Sequence, residues 1–431
     1  MWAFPQQEPG GNTAMASRWI WVYFSRFPLL GGEAAVSLPL QQQGPSQSIP
    51  PMFFAQLFYL HGPTLGLFFK RLFTPRFRLS RMLFGLLIFL ALLLVSLLVL
   101  IGRLLDEVFF FGYRRFRIEQ PLFIVSNPRS GTTLTHRLLS LDEERYASLL
   151  LYHTVFPSVT LIKLFKLLYR IDGFIFHPLT RLVLAVDRWA FKGWQHIHPT
   201  GMLQTEEDEG IFTTSWLTPG LLLFTPFATD FQHLNIPDNM PERKRRRWQA
   251  YYVSSLKRIL YAQGAQNRVF LSKNVLTLGR FKTLVEAFPD LRMIYIARSP
   301  LNTVPSYVSM FTKPWPIHSP DFVEDTTQLR ALGQTIIDHY HYHLGNRKTL
   351  PPERYLELQY KDLVADPQAA VLSIYAHFGI PVTEAFEQAL TAETTKARAY
   401  KSKHKYTLEQ FGFSEEELRE RMAEVFDTWD Y

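Results

Sequence analysis

A three-layer α/β domain with a mainly parallel central sheet, preceded by a transmembrane helix, is the architecture this sequence predicts, and three observations predict it. From Pro121 to Tyr431 short β-like runs alternate with amphipathic segments, an order that lays helices over a parallel sheet. One of those runs, Leu122–Val125, passes directly into the small-residue turn Ser126-Asn-Pro-Arg-Ser-Gly-Thr-Thr133 and then into a helical stretch. Upstream, Met82 to Ile101 runs 20 residues without a charge, enough helix to cover roughly 30 Å of hydrocarbon.

The 431 residues, 47% hydrophobic and 19% charged, fit one sizeable domain with an addition better than two equal domains. Residues 1–51, rich in Gln, Gly, Pro and Ser, read as a poorly ordered leader, and their start resembles no cleavable signal peptide. Residues 52–117 form a membrane-anchor region around the helix at about 82–101, and 118–431 the main domain. Within the anchor, Met52–Phe69 is uncharged but contains His61, Gly62 and Pro63, which suits an interfacial or re-entrant segment better than a second crossing. A single-pass membrane protein is expected. The flanks do not set its orientation, because Lys70, Arg71, Arg76, Arg78 and Arg81 precede the apolar run while Arg103, Arg114, Arg115 and Arg117 follow it.

Cysteine is absent, which excludes a disulfide scaffold, a thiolate nucleophile and thiolate-held metal. The formal charge of +8 is compatible with nucleic acid, an anionic membrane or a polyanionic small ligand. The basic run Arg243-Lys-Arg-Arg-Arg247 opens a helix with no stacking-aromatic module beside it. It reads as a solvated or membrane-facing helix face, so no nucleic-acid partner is expected.

Strand, small-residue turn and helix together aim backbone N–H groups and a helix N-terminus at a phosphate. Gly131 permits close backbone approach, Thr132 and Thr133 offer hydroxyl donors, and Arg129 adds a charge-assisted contact. Against the nucleotide-triphosphate loop G-x-x-x-x-G-K-[ST], Gly131 and Thr133 match, while Ser126 replaces the first glycine and Thr132 the lysine. The missing lysine disfavours an ATPase or kinase, which needs that cation at the β and γ phosphates. Downstream, the strand Arg292–Ala297 leads into Arg298-Ser-Pro-Leu-Asn-Thr-Val-Pro-Ser306, a second anion-friendly turn at the same end of the sheet. Between them, Arg268-Val-Phe-Leu-Ser-Lys273 is another strand ending in a polar residue.

The run Pro-Arg-Ser-Gly-Thr-Thr resembles the 5′-phosphosulfate loop of P-loop sulfotransferases that use 3′-phosphoadenosine 5′-phosphosulfate (PAPS), some of which carry Lys in place of Arg129. By that resemblance Arg129, Ser130, Gly131, Thr132 and Thr133 hold the 5′ end of the donor. Arg298 and Ser306 resemble the family's 3′-phosphate site, although an Asp that commonly follows the arginine is here Ser299. Lys273 is similar in place to a lysine that, in tyrosylprotein sulfotransferases among others, stabilises charge on the bridging oxygen. Lys401 and Lys403 lie in a segment resembling one that closes over the donor. The likeness extends over about Arg117 to Tyr431.

The resemblance implies a membrane-anchored enzyme that transfers a sulfuryl group from PAPS to a hydroxyl without a metal, releasing adenosine 3′,5′-bisphosphate. Two candidates stand for the base that takes the acceptor's proton. His153, where related sequences often have Glu, has a side chain that titrates near neutrality. Glu206 and Glu207 belong to the run Glu-Glu-Asp-Glu209, which otherwise reads as the solvated start of a helix. His196 and His198 beside these acids match no common metal-ligand spacing. The apolar, cation-dotted segment Val155–Val186 suits either ordinary core packing or an acceptor pocket that opens toward the membrane and takes a hydrophobic or lipid-linked alcohol. A nucleotide-dependent phosphotransferase and a non-catalytic membrane adaptor with this fold are the rivals.

Overall fold

The computed structural model describes residues 53–73, 76–190, 201–397 and 407–431. The expected leader, the pair His196 and His198, and Lys401 and Lys403 lie outside the described residues.

Five strands form one all-parallel sheet: β1 Leu122–Val125, β2 Tyr146–Ala147, β3 Val269–Lys273, β4 Arg292–Ala297 and β5 Tyr355–Gln359, in the order β2-β3-β1-β4-β5. The central strands are near-continuous apolar runs because both faces are covered. Leu122, Ile124, Leu271 and Ile294 point into one core with Leu138, Val371 and Ile374. Phe123, Val125, Phe270 and Met293 point into the other with Leu256, Leu284 and Ile336. Three layers result, and each such side chain contributes about 1.5–3 kcal/mol by leaving water. The α/β class expected from the alternating pattern is the one observed.

Register fixes where the polar strand ends fall. Ile124 pairs with Lys273 and with Ile294, so β3 and β1 end within one residue of each other while β4 runs on to Ala297, and the residues that follow the three strands gather at one edge. In parallel sheets that edge is where ligands bind.

The apolar run lies in one 31-residue helix, α1 Leu79–Phe109, long and apolar enough to cross a membrane by length and composition. One side of it is nevertheless docked on the domain. Near its start, Arg81 Nε donates to Ser319 Oγ at 2.8 Å and the guanidinium pairs with Asp321 at 2.5 Å. Near its end, Asp106 accepts from the N–H groups of Val159 and Thr160 at 3.0 and 2.7 Å and meets Arg258 at 3.1 Å. The expected division at residue 117 is therefore not a gap in packing: Tyr59, Phe68, Leu72 and Tyr113 share the core of the sheet. Within the stretch Met52–Phe69, expected at an interface, the Phe68 ring packs edge-on against Trp216 at 4.9 Å.

Candidate active site

The turn after β1 is shaped by its backbone. Arg129 and Gly131 both adopt positive φ, 67° and 84°, an alternation that gathers successive N–H groups around an anion-sized hollow. Glycine is required at 131 twice over, since a Cβ there would also stand 2.7 Å from Leu363 Cδ2. Helix α2, Thr132–Leu139, begins at once, with Thr132 buried and Thr133 exposed at its first turn. Ser126 anchors the start of the turn by donating its hydroxyl to the Ile296 carbonyl on β4. Ser130 is wholly buried, and its Oγ meets no hydrogen-bond partner among the described residues. A buried hydroxyl left unpaired is costly unless a ligand oxygen completes it.

Arg298, leaving β4, reaches back to this turn and donates from Nη1 to the Arg129 carbonyl. Its guanidinium lies 4.1 Å from the centre of the Tyr360 ring, and Tyr340 donates its hydroxyl to the Arg298 carbonyl. Burial, reinforced by the Arg129 charge, pulls the Arg298 pKa below the usual arginine value, while Tyr360 and Tyr340 oppose that shift. The structure thus brings the two expected anion clamps into contact. Ser306 sits half-buried on the helix Pro300–Thr312 that follows, and among the described residues no hydrogen bond joins it to either arginine.

Lys273 closes β3 with only 2% of its surface exposed. Its Nζ lies 3.4 Å from Thr133 Oγ1 and 3.5 Å from Glu207 Oε1. The acidic run reaches this place because residues 149–152 pair with residues 202–206 on the way: Glu206 N donates to the Leu149 carbonyl at 2.9 Å, and Leu151 N to that of Gln204 at 3.0 Å.

A solvated helix start is not what the acids form. Asp208 is buried and accepts from Tyr252 Oη and from Asn274 Nδ2, the latter at 2.6 Å. Glu209 accepts from the same amide at 2.7 Å and from Arg280 at 3.3 Å. Burial pushes the Asp208 carboxyl up to about 6, with the Tyr252 and Asn274 hydrogen bonds pulling the other way. Glu206 is buried and Glu207 less so; of the four acids, Glu207 is the one paired with Lys273.

His153 is the other candidate base. It is fully buried, and its Nδ1 accepts from Leu150 N at 3.0 Å and lies 3.1 Å from Gln263 Nε2. Burial, with Lys166 adding to it, drives its pKa well below the usual histidine value. The ring so engaged caps the short helix Leu151–Val155. The basic run is likewise divided, since Arg245 turns inward to Glu286 at 2.5 Å while Arg243 and Arg247 stay exposed.

Three neighbours of the site went unread in the sequence. His136 stands one turn beyond Thr133 on α2, buried and within the fields of Lys273 and Glu206; burial first, then Lys273, lower its pKa to about 3. Its i,i+3 spacing from Thr133 was a usable signal. Tyr340 and Tyr360 had none, because they arrive from distant segments. A cleft of about 820 Å³ lined by His61, His233 and Lys244 lies elsewhere and holds none of these residues.

Residues 121–384 match the model of the sulfotransferase family. This chain belongs to that family. The sulfotransferase is 24% identical over 320 residues to the omega-hydroxy-beta-dihydromenaquinone-9 sulfotransferase Stf3 of Mycobacterium tuberculosis, over 73% of this chain and 76% of the relative. The same figures hold for Stf3 of Mycobacterium bovis. Its fold is shared with the crystal structure of sulfotransferase STF9 from Mycobacterium avium, at TM-score 0.68 and 20% identity over 85% of this chain and 90% of that one. Sulfotransferase STF1 from M. tuberculosis superposes at TM-score 0.56, again 20% identical, over 76% of this chain and 83% of the other.

Proposed function

We propose that this sulfotransferase moves a sulfuryl group from PAPS to the hydroxyl of a hydrophobic acceptor, with Lys273 and Glu207 at the reacting centre. The observation that carries the reading is the placement of Lys273 between the Thr133 hydroxyl and the Glu207 carboxylate. The donor supplies a sulfur whose bond to the 5′-phosphate oxygen breaks as the bond to the acceptor oxygen forms. The turn Arg129–Thr133 binds the 5′ end, and the buried Ser130 hydroxyl has a donor hydrogen to give there. Arg298, braced on Tyr360, takes the 3′-phosphate with Ser306 beside it. Lys273, a compact cation with three donors, stabilises the oxygen that leaves. Glu207 accepts the acceptor's proton, and Asp208 and Glu209, tied to Asn274 and Arg280, hold the acidic run in place. Lys401 and Lys403 remain candidates for closing over the donor.

A hydrophobic acceptor is supported by the relative Stf3, whose name gives a hydroxylated menaquinone as its acceptor, and by the apolar helices around the domain. Transfer of labelled sulfate from PAPS to long-chain alcohols and a total lipid extract tests the reaction. Calorimetry with adenosine 3′,5′-bisphosphate in chelator tests the site; binding is expected there, with ATP a poor competitor. Phosphate transfer from Mg²⁺-ATP would establish the phosphotransferase instead. Tight nucleotide binding with no transfer to any hydroxyl would leave the adaptor.

A further inference from the structure

We infer that α1 lies in the plane of one membrane leaflet, as part of a monotopic insertion face, and does not cross the bilayer. The inference stands apart from the transfer chemistry and rests on which way the helix's charges point.

Every charged side chain between Leu79 and Phe109 turns toward the domain: Arg81, Arg103 and Asp106 are buried and Glu107 is half-buried. Gly102 permits the close approach, since a Cβ there would come within 2.6 Å of Ser158 Oγ. Arg81 and Asp106 are about 37 Å apart along the axis at 1.5 Å per residue, which exceeds the roughly 30 Å of a hydrocarbon core. Both ends are bonded to the same domain, through Asp321 and Arg258. A crossing helix so tethered would draw that domain into the bilayer.

The opposite side of α1 is exposed and apolar, with Leu83, Leu87, Leu90, Leu94 and Leu97 along it. α1 packs against the hairpin of helices α3 Val159–Phe174 and α4 Pro178–Ala190, where Leu167, Ile171, Leu179 and Leu182 are exposed as well. Asp172 stiffens that hairpin by accepting from the N–H groups of Leu179 and Thr180 at 2.7 and 2.8 Å. Its tip then presents Phe174 and Phe176, 86% and 81% exposed. Soluble monomers rarely leave apolar patches beyond a few hundred Å² uncovered.

Lipid is the occupant this face fits. A protein interface carries about one hydrogen bond per 100–200 Å², yet the uncharged part of α1 beyond Ser80 offers a single side-chain donor or acceptor, the half-buried Ser96. Exposed Arg78, Arg115, Arg181 and Arg188 on the flanking segments suit anionic headgroups, as in an interfacial amphipathic helix.

The absence of cysteine makes the test direct. The full chain carrying Phe77→Cys and Glu119→Cys, one exposed position before α1 and one after it, is added to phosphatidylcholine–phosphatidylglycerol vesicles, floated, and treated with a membrane-impermeant maleimide. We expect the protein to float and both cysteines to react without detergent. Exchange of Leu87, Leu90, Leu94 and Leu97 for Ser should weaken vesicle binding by about tenfold or more, with the helical circular dichroism unchanged. Protection of one cysteine until detergent is added would establish a crossing helix and overturn the inference. Failure to float, with the chain dimeric in solution, would overturn it in favour of a second copy on this face. Neither readout uses PAPS, so the outcome is separate from that of the transfer assay.

Discussion

Arg258 and Arg298 are both held by aromatic rings, 4.0 Å over Tyr113 and 4.1 Å over Tyr360 respectively, yet they sit in opposite electrostatic settings. Arg258, fully buried where α1 docks, is neutralised by Asp106 at 3.1 Å and Glu107 at 2.6 Å. Arg298 donates to a backbone carbonyl and has the Arg129 charge nearby; among the described residues no carboxylate pairs with it. A charge taken from water must be compensated. Where the protein supplies the counter-charge, the arginine is part of the scaffold; where it does not, a bound anion has a place to act.

The largest expected effect is on the scaffold side. Arg258→Met removes the cation that neutralises the buried Asp106 and the half-buried Glu107 and should cost about 3–5 kcal/mol, read by urea unfolding, while the molecules that remain folded bind adenosine 3′,5′-bisphosphate as before. At the other pole, Lys273→Ala should lower kcat about 10²–10³-fold with little change in unfolding midpoint; a variant that retained full turnover would remove Lys273 from the reacting centre. Arg298→Ala should lose about 1.5–3 kcal/mol of nucleotide affinity, the scale of a hydrogen bond to a charged group, without the unfolding penalty of Arg258. Equal destabilisation by the two arginine variants would erase the distinction between them.

Buried histidines extend the same logic to pH. Burial lowers His318 and His339 to about 4, and His343 to about 3. For a base whose folded pKa is depressed, stability is full above the unfolded value near 6.5 and is lost as pH falls toward the folded value. At pH 5 each should cost about 2 kcal/mol. The thermal midpoint should therefore drop between pH 7 and 5, and His339→Gln should shallow the drop. Asp208 works in the opposite sense: its raised pKa means stability declines as pH rises from about 4 to 6, which offsets part of the histidine loss.

How much of this was legible depended on sequence distance. The turn after β1, Lys273 at the end of β3 and Arg298 after β4 are each a strand followed by a short polar signal, and all were read in place. Glu207 was named only together with Glu206, as the rival of His153. Nothing local separates them, because one is carried to Lys273 and the other folded under Gln263 by contacts between residues far apart in the chain. Tyr360 beneath Arg298 follows the same rule.

By itself, then, the sequence determined the parallel α/β sheet, the small-residue turn after β1 and the apolar run Met82–Ile101, since periodicity, turn residues and charge-free length act over a few neighbours. Tertiary structure alone decided that Arg129 and Arg298 meet, that Asp208 and Glu209 are buried, and that both ends of α1 bind one domain. Those outcomes depend on strand register and on the pairing of buried charges, which couple residues the chain order keeps far apart.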